Sequence, residues 1–423
     1  MSREMKNSGI EWIGRIPKTW EVKAGKYCLT LLKRIPSSDD QVVTCFRDGE
    51  VTLRSERREE GFTISEKEIG YQGVKKGDLV VHGMDGFAGA IGISKFDGKG
   101  SPILNVLDSY SNKQFLAYYL RAAAFKGYFL ATATGIRVRS CDLRWPKLAK
   151  MPILLPPFAA QQAIADYLDF KCSQIDQLSD NIKQQIEELG EYKKALITQA
   201  ITKGLDPDVE MKDSGIAWVG NIPQKWEVSP LYVCFKERKN KNKEEQENNL
   251  LSLSYGKIVR KPIDILEGLL PESFSTYNIV EKGDIIIRPT DLQNDKKSLR
   301  TGLVQEHGII TSAYIDLYLT GIGDVRYYHY LLHAFDEAKV FYNMGNGVRQ
   351  GLNYSTFSKL PILTPSLEDQ SNIADYLDSK CSLIDALVQT KNEKLDTLQD
   401  YKKSLVFDYV TGKKEVPADF RKE

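Results

Sequence analysis

Two glycine-rich loops that carry arginine have the clearest chemistry in this sequence. One runs Gly135-Ile136-Arg137-Val138-Arg139, and the other runs Gly345-Asn346-Gly347-Val348-Arg349-Gln350-Gly351. Arginine and glutamine side chains suit hydrogen bonds to guanine, adenine or phosphate, and glycine lets the backbone approach a ligand closely. We therefore predict DNA contacts for Arg137, Arg139, Arg349 and Gln350. Simple turns with solvated arginines are the alternative.

Two further loops follow matching Gly-Asp strand entries. Gly77-Asp78-Leu79-Val80-Val81 and Gly283-Asp284-Ile285-Ile286-Ile287 lie 206 residues apart, and each is typical of a turn leading into a strand. The loop after the first strand holds His82 and Asp85, whereas the loop after the second holds Arg288, Lys296, Lys297 and Arg300. Equivalent positions with unlike side chains would read unlike sequences, so these residues join the predicted DNA contacts. A surface insertion without function is the alternative.

No catalytic set accompanies these loops. The sequence has no G-x-x-x-x-G-K-[ST] phosphate loop, and Leu155-Pro156-Pro157-Phe158 lacks the polar residue that a base-methylating Asp-Pro-Pro-aromatic loop needs. The six cysteines show no C-x-x-C spacing and only four histidines are present, so we expect buried thiols rather than a zinc site or disulfides. We predict no catalytic residue, no metal site and no cofactor site in this chain.

The elements that must position the loops occur twice. Lys6-Asn7-Ser8-Gly9-Ile10-Glu11-Trp12-Ile13-Gly14-Arg15-Ile16-Pro17 returns at 212–223, and Ile164-Ala165-Asp166-Tyr167-Leu168-Asp169 returns at 373–378. The sequences between these copies hardly match, so the scaffold is repeated while the intervening halves differ. The tryptophans Trp12, Trp20, Trp218 and Trp226 lie in the repeated segments, and we expect them to pack against helix ends rather than stack on bases.

Two long helices are predicted after these globular halves. Leu168, Ile175, Ile182, Leu189 and Leu196 recur every seven residues, with Ile164 and Leu178 between them, which is typical of a coiled-coil seam. The second copy keeps the register but has Lys391 at the position of Ile182. Gly204 and Gly412 mark the helix exits. We expect the two helices to be antiparallel, and outward apolar residues such as Phe170, Ile186 and Phe407 to dock partners.

The composition predicts a soluble globular chain. Its net charge is +1, yet residues 23–150 carry 21 Lys and Arg against 14 Asp and Glu, while 158–190 and 360–399 are acidic. Basic globules beside acidic helices suit a polyanion bound by the globules. The charge run from Lys236 to Glu245 has mixed sign and predicts a mobile loop. The absence of a secretory segment and of any apolar run of membrane-spanning length makes a cytoplasmic location the expectation.

Taken in order, these motifs resemble those of the DNA-specificity subunit of type I restriction-modification systems. The resemblance covers both halves: the S-G-I-x-W-[IV]-G-x-I-P lead, the K-G-D strand entry, the G-[IV]-R loop, the Q-x-x-I-A-x-Y-L-D helix start and the Y-K-K-[AS]-L helix end. The predicted fold is α+β, with two target-recognition domains in a pseudo-two-fold repeat separated by two long antiparallel coiled-coil helices. The expected boundaries are 1–157, 158–203, 204–363, 364–412 and a tail at 413–423.

The resemblance implies a non-catalytic subunit that reads a bipartite, asymmetric site in double-stranded DNA. It implies that the helices set the gap between half-sites and dock two methyltransferase subunits, which hold S-adenosylmethionine and methylate adenine. It also implies two restriction or motor subunits, which use ATP and Mg²⁺. A coiled-coil scaffold that binds proteins and no DNA is the alternative, and steep salt dependence of DNA affinity would distinguish the two.

Overall fold

The computed structural model of the chain describes residues 3–57, 69–132, 143–263, 273–290, 292, 299–344 and 351–422. The chain divides into two units, one formed by residues 1–182 with 392–423 and the other by residues 183–391. Each unit holds one α+β globule together with a part of each long helix. Among the helices in the described ranges, none is long and apolar enough to cross a membrane.

The first unit is built mainly from short strands. Its described strands are β1 Met5–Asn7, β2 Arg15–Pro17, β3 Glu21–Ala24, β4 Thr30–Leu31, β5 Val43–Cys45, β6 Val51–Leu53, β7 Gln72–Val74, β8 Leu79–His82, β9 Ile91–Ile93, β10 Gly98–Gly100, β11 Leu104–Asp108 and β12 Pro152–Leu155. Its described helices are α1 Arg54–Arg57, α2 Lys113–Phe125, α3 Tyr128–Ala131, α4 Trp145–Leu148 and the start of α5 Phe158–Lys203, with 3₁₀ turns at Gly25–Tyr27 and Gly86–Ala88.

The second unit repeats this order. Its described strands are β13 Met211–Asp213, β14 Asn221–Pro223, β15 Glu227–Pro230, β16 Phe235–Glu237, β17 Leu251–Ser254, β18 Lys257–Arg260, β19 Asn278–Val280, β20 Ile285–Ile287, β21 Thr301–Leu303, β22 Gly308–Ile310, β23 Ile315–Leu319 and β24 Pro361–Thr364. Its described helices are α6 Leu231–Cys234, α7 Val325–Glu337, α8 Tyr354–Phe357 and α9 Leu367–Val410, with a 3₁₀ turn at Val340–Asn343; a further one, Ala418–Lys422, follows α9 in the first unit.

Each globule is organised around a four-stranded antiparallel sheet. The strand order is β4-β11-β8-β9 in the first unit and β16-β23-β20-β21 in the second. The register also repeats, since Leu79 pairs with Leu107 and Ile285 with Leu317. Antiparallel pairs β5-β6 and β7-β10 in the first unit correspond to β17-β18 and β19-β22 in the second. The described elements therefore confirm the predicted α+β class and its internal repeat.

The Gly-Asp turns are fixed by the aspartate side chains. Asp78 accepts the backbone N–H of Lys75 at 2.7 Å, and Asp284 accepts that of Glu281 at 2.8 Å. The glycines before them adopt positive φ angles of 87° and 96°, which a residue with a Cβ rarely adopts. Each carboxylate also receives a guanidinium, from Arg34 in the first unit and from Arg238 in the second. These turns start the central strands and so position the loops beyond them.

Arg238 belongs to the charge run that predicts a mobile loop, and that prediction is wrong for its first residues. Phe235–Glu237 forms strand β16, with Phe235 fully buried and Lys236 exposed. Arg238 Nε lies 2.8 Å from Asp284 Oδ2, and its Nη2 donates to Oδ1 at 3.0 Å. The sequence did not predict this strand because a short edge strand buries few side chains, and here Phe235 is the buried one.

The long helices run antiparallel within each unit. In the first unit Tyr409 donates to Tyr167 at 3.3 Å, and Lys402 Nζ donates to Asp176 Oδ2 at 2.7 Å. In the second unit Lys193 donates to Asp385 at 2.6 Å, and Lys391 donates to Gln185, also at 2.6 Å. Within each unit, residues later in α5 contact residues earlier in α9. This confirms the predicted antiparallel direction of the two helices. The seam lysine Lys391 is thereby satisfied by an amide oxygen.

The seam itself follows the seven-residue spacing with one exception. Leu168, Ile175 and Ile182 are buried, as are Leu377 and Ile384. Leu178, however, is 44% exposed, so its predicted seam position is wrong. Seven-residue spacing identifies one stripe of a helix, but the partner's position decides which intermediate residues complete it.

A glutamine near the start of each long helix ties that helix to its globule. Gln161 accepts the N–H of Asn112, the N-cap residue of α2, at 2.9 Å and donates to Pro156 O at 2.8 Å. Gln370 accepts the N–H of Asp324, the N-cap residue of α7, at 2.9 Å and donates to Pro365 O, also at 2.9 Å. The side chains of both glutamines are buried, so the paired hydrogen bonds satisfy groups that water does not reach.

The tryptophans pack at the helix ends, as predicted. Trp20 and Trp226 are each 3% exposed. A Cβ on Gly412 would lie 2.9 Å from the Trp20 ring, and one on Gly204 would lie 3.4 Å from the ring of Trp226. Trp218 meets Phe335 edge to face at 4.7 Å between ring centroids.

Phe407 packs within the first unit instead of pointing outward as predicted. Its ring lies 6.2 Å from that of Trp12, measured between centroids. The ammonium groups of Lys126 and Lys413 lie 4.4 Å and 5.4 Å from its centroid. These contacts come from segments far away in the chain, so the helical pattern alone could not reveal them.

Candidate nucleic-acid interface

A backbone hydrogen bond joins the two predicted loop regions of the first unit. The N–H of Leu143, which follows the first glycine-rich loop, donates to the carbonyl oxygen of Gly83 in the loop after β8 at 2.8 Å. The buried side chain of Asn105 reinforces this junction because its amide donates to Leu143 O at 3.1 Å and to Val81 O at 3.2 Å. Asn105 therefore holds the end of strand β8 and the end of the glycine-rich loop together.

The second unit has the same junction. The N–H of Leu352, just beyond the second glycine-rich loop, donates to Pro289 O at 2.9 Å. Leu352 is buried, and Pro289 follows Arg288 at the end of β20. In both units, therefore, the structure brings the two loop regions together at the same end of the central sheet.

The two glycine-rich loops differ in length, and the position of the junction shows on which side of it the additional residues lie. Leu143 lies nine residues before Pro152, and Leu352 lies nine residues before Pro361. Arg137 precedes Leu143 by six residues, whereas Arg349 precedes Leu352 by only three. The three additional residues of the first loop therefore lie between Arg137 and the hydrogen-bonded junction, and the junction itself is unchanged.

His82 and Asp85 form a local support in the loop after β8. His82 Nδ1 accepts the backbone N–H of Asp85 at 2.9 Å, with the N–H of Met84 at 3.3 Å. Burial lowers the pKa of His82, which agrees with a neutral ring whose Nδ1 is an acceptor. The Asp85 carboxylate in turn accepts Arg47 Nη2 at 2.7 Å and Nε at 3.3 Å. The predicted residues thus fix an arginine that the sequence pattern did not single out.

Arg47 lies on a basic groove in the first unit. The groove has a volume of about 610 Å³, and its charged lining comprises Arg47, Arg54, Arg57, Asp48, Asp85 and His82. Arg57 forms ion pairs with Asp48 at 2.7 Å and Glu50 at 3.2 Å, and its guanidinium covers the Phe46 ring at 4.3 Å. An arginine-rich, partly apolar groove of this kind can accept phosphate or a base edge.

The corresponding loop of the second unit contains Arg288 and Arg300. Arg288 is partly exposed at the end of β20. Arg300 is fully buried; its guanidinium donates to the carbonyl of Thr290 and contacts that of Arg288 at 3.5 Å. Its backbone N–H donates to Asp336, whose pKa burial raises to about 6. Arg300 therefore supports the chain around Arg288 from inside, and in this structure its side chain is not accessible to a ligand.

The other predicted contacts lie outside the described residues. They are Arg137, Arg139, Lys296, Lys297, Arg349 and Gln350. The junctions at Leu143 and Leu352 place the described ends of their segments beside His82–Asp85 and Arg288. DNA contact by each of these six residues stays a prediction.

Two residues at hairpin tips were missed by the sequence reasoning. Arg47 lies in the connection between β5 and β6, and Tyr255 lies in the two-residue turn between β17 and β18. A signal was present: Leu251-Ser252-Leu253-Ser254 alternates before Tyr255-Gly256, which is typical of a strand entering a hairpin. The tyrosine was overlooked because hairpin turns are usually recognised by Asn-Gly or Asp-Gly.

Residues 237–397 match the family model described as the type I restriction modification DNA specificity domain. This region includes β17 through β24 and the first part of α9. It also spans the second Gly-Asp turn and the Leu352 junction.

One solved structure shares this fold at low sequence identity, and two further solved chains match with lower TM-scores. A chain from a type I R-M system, solved in a study of complex assembly and conformational transition, has a TM-score of 0.68 at 12% identity, over 93% of this chain and 98% of that chain. The HsdS subunit from Thermoanaerobacter tengcongensis has a TM-score of 0.49 at 13% identity, over 94% and 98%. The type I S subunit from M. genitalium has a TM-score of 0.39 at 14% identity, over 92% and 96%.

Proposed function

Since residues 237–397 match the model of the type I restriction modification DNA specificity domain, the family that the doubled motifs resemble, we propose that this chain reads a split, asymmetric DNA site. Each unit reads one half of the site through its joined loops. The chain serves as the non-catalytic specificity subunit of a methyltransferase and restriction complex.

The observation that carries this proposal is the repeated loop junction with unlike chemistry beside it. The bonds from Leu143 to Gly83 and from Leu352 to Pro289 are equivalent and nearly equal in length, 2.8 Å and 2.9 Å. Beside the first lie His82 and Asp85, and beside the second lies Arg288. An unchanged support that presents different side chains is what two different half-sites require.

The proposed partners follow the same reasoning. Two methyltransferase subunits dock on the long helices, where several apolar residues in the described part of the chain are exposed: Leu178, Tyr192, Leu383, Leu387 and Tyr401. A contiguous patch of exposed apolar side chains marks a surface that a partner covers, and these residues are the positions proposed to form it. The methyltransferase holds S-adenosylmethionine and methylates adenine, and restriction subunits, where present, use ATP and Mg²⁺.

The test compares loop variants of the two units in the assembled methyltransferase complex. Arg349→Ala and Arg288→Ala should weaken recognition of one half-site, whereas Arg137→Ala and Arg139→Ala should weaken the other. A base contact should cost about 1–3 kcal/mol at a single position, whereas a phosphate contact should weaken all sequences alike. Affinities are measured on duplexes with either half-site changed, at several salt concentrations.

Lys225→Ala is the matched control, since it removes an exposed positive charge from the second unit far along the sequence from these loops. Equal losses at both half-sites from each variant would contradict the division of reading between units. Tight methyltransferase binding with no salt-dependent DNA affinity would favour the protein-binding scaffold instead.

A further inference from the structure

Each unit carries a β-hairpin beside its joined loops. In the first unit β5 and β6 are connected by Phe46–Glu50, and in the second β17 and β18 are connected by Tyr255-Gly256. Equivalent hydrogen bonds close the two hairpins, because Arg54 N–H donates to Val42 O and Lys261 N–H to Leu250 O, both at 2.8 Å. The hairpins are therefore the same element with different tips.

Both tips contact the loop that follows the Gly-Asp strand. Arg47 binds Asp85, and a Cβ on Gly89 would lie 2.6 Å from the Arg47 carbonyl oxygen, so the backbones approach closely there. In the second unit, a Cβ on Gly256 would lie 2.9 Å from Leu299 Cδ1. The hairpin tips thus share one surface with the loops to which the proposed function assigns DNA reading.

We propose that these hairpin tips are additional half-site readers, with Arg47 acting in the first unit and Tyr255 in the second. This inference rests on the proposed function and adds to it the residues that determine specificity at one position of each half-site. Their unlike chemistry at equivalent places contributes to the asymmetry of the site.

Arg47 has the geometry of an oriented base reader. Its side chain is 60% exposed, yet two of its nitrogens lie within 3.3 Å of one Asp85 oxygen. Asp85 is fixed in turn through its backbone by His82. A guanidinium has five N–H donors, so those not directed at Asp85 remain for the O6 and N7 acceptors of guanine. Holding the side chain in place beforehand reduces the entropy lost on binding.

Tyr255 is an exposed aromatic residue in a strained turn. Its φ angle is +48°, and the residue is 86% exposed. Asparagine or glycine would adopt this conformation at lower cost, and the exposed ring fills no core position that would offset that cost. The exposed ring can stack on a base or contact a thymine methyl group. Lys257 Nζ, next to the turn, lies 4.0 Å from Asp385 Oδ2 on α9.

The experiment maps methylated adenines in cells that express the full chain with the methyltransferase partner that the proposed function requires. Arg47→Ala should relax one base position in one half-site, by roughly 5- to 150-fold in preference, because it removes the contact to guanine. Arg47→Lys should relax the same position, because it lacks the planar guanidinium that Asp85 orients. Tyr255→Asn should relax a position in the other half-site. Asparagine suits the turn, so this variant should fold at least as well as the original chain.

Lys18→Ala is the control, because it removes an exposed charge from the first unit and should leave the motif unchanged. If Arg47→Ala abolishes methylation altogether, the motif of the Arg47→Lys variant decides whether Arg47 reads a base. This variant keeps the charge and lacks only the planar guanidinium.

The outcomes separate this inference from the proposed function. An unchanged motif in the Arg47 and Tyr255 variants, or relaxation of the same half-site by both, would overturn the hairpin readers and leave the proposed function intact. Weaker methyltransferase binding by Tyr255→Asn, with the motif unchanged among the sites that are still methylated, would assign Tyr255 to a protein contact and also overturn its reading role. Absence of any split motif with the original chain would contradict the proposed function itself.

Discussion

The backbone N–H of Leu352 donates to the carbonyl oxygen of Pro289 at 2.9 Å, which makes two sequence-distant loops of the second unit parts of one surface. The equivalent bond from Leu143 to Gly83 does the same in the first unit. A change in either loop should therefore be transmitted to its neighbour. Among the residues that the structure describes, a buried side-chain amide reinforces the junction of the first unit alone, and it comes from Asn105.

Asn105→Ala tests that reinforcement. It removes two buried hydrogen bonds and leaves the carbonyls of Leu143 and Val81 without that donor, so we expect a loss of about 1–3 kcal/mol in the free energy of unfolding. DNA affinity should fall for one half-site only, because the junction of the second unit is untouched. Chemical denaturation and binding to duplexes with single half-site changes measure the two effects.

Ile315→Ala is the comparison for this variant, since Ile315 is buried at the matching start of strand β23. It should cost a similar or larger amount of stability through the cavity it leaves. Any recognition defect that it causes should concern the other half-site, and a defect in the same half-site as Asn105→Ala would contradict the assignment of one half-site to each unit.

Gly412→Ala should destabilise the chain more than Gly204→Ala. Both glycines end a long helix with positive φ angles, 70° and 76°, so alanine is strained at either position. The new Cβ would also lie 2.6 Å from Pro17 Cδ at position 412, but no closer than 3.4 Å to any atom at position 204. We expect about 1–2 kcal/mol at Gly204 and about 1–3 kcal/mol more at Gly412.

Gly190→Ala should stabilise the chain, in contrast to the two substitutions at the helix ends. Gly190 lies within α5 with no atom close to its missing Cβ, so alanine should stabilise the helix by about 0.5–1 kcal/mol. Thermal unfolding of the three variants tests the ranking, and equal effects at Gly412 and Gly204 would show that the Pro17 contact does not constrain the helix end.

Gln161→Ala should be far more costly than Gln162→Ala. Gln161 is buried and bonds both Asn112 N–H and Pro156 O, whereas its neighbour Gln162 is exposed and accepts from the Asn112 side chain. Leaving two buried backbone groups unsatisfied should cost about 2–4 kcal/mol, against less than about 1 kcal/mol for the exposed bond. Comparable losses in urea denaturation would refute the role of Gln161 in joining α5 to its globule.

The repeated scaffold was predictable because it depends on local patterns. Seven-residue spacing predicted the long helices, the Gly-Asp turns predicted the central strands, and the repeated tryptophans predicted the packing at the helix ends. The remainder depends on contacts between distant segments. No periodic pattern in the sequence indicates that Arg47 pairs with Asp85 or that Phe407 packs against Trp12. The burial of Arg300 depends on the pairing of β20 with β21, which a local pattern does not reveal.

Asp316→Asn should change how stability depends on pH. Burial and the neighbouring Asp284 raise the pKa of Asp316 from its ordinary 3.8 to about 8. The folded chain therefore retains a proton that the unfolded chain releases, so this aspartate lowers stability progressively as pH rises from about 4 to about 8. The asparagine variant should gain stability relative to the original chain across this range, most at pH 8.

Unfolding in urea at pH 5, 6.5 and 8 measures that difference. Asp396→Asn on the exposed surface of α9 is the control, since it makes the same substitution at a carboxylate that is not buried. A difference for Asp316→Asn that is independent of pH would mean that Asp316 is ionised in the folded state, balanced by Arg238 at 3.9 Å.

The most direct test of the proposed function is a genome-wide map of methylated adenines in cells that express the proposed methyltransferase partner, with and without this chain. We predict a split, asymmetric motif that disappears when only this chain is absent. Absence of any motif while the methyltransferase is present and bound to the chain would contradict the DNA-reading function and favour a protein-binding scaffold.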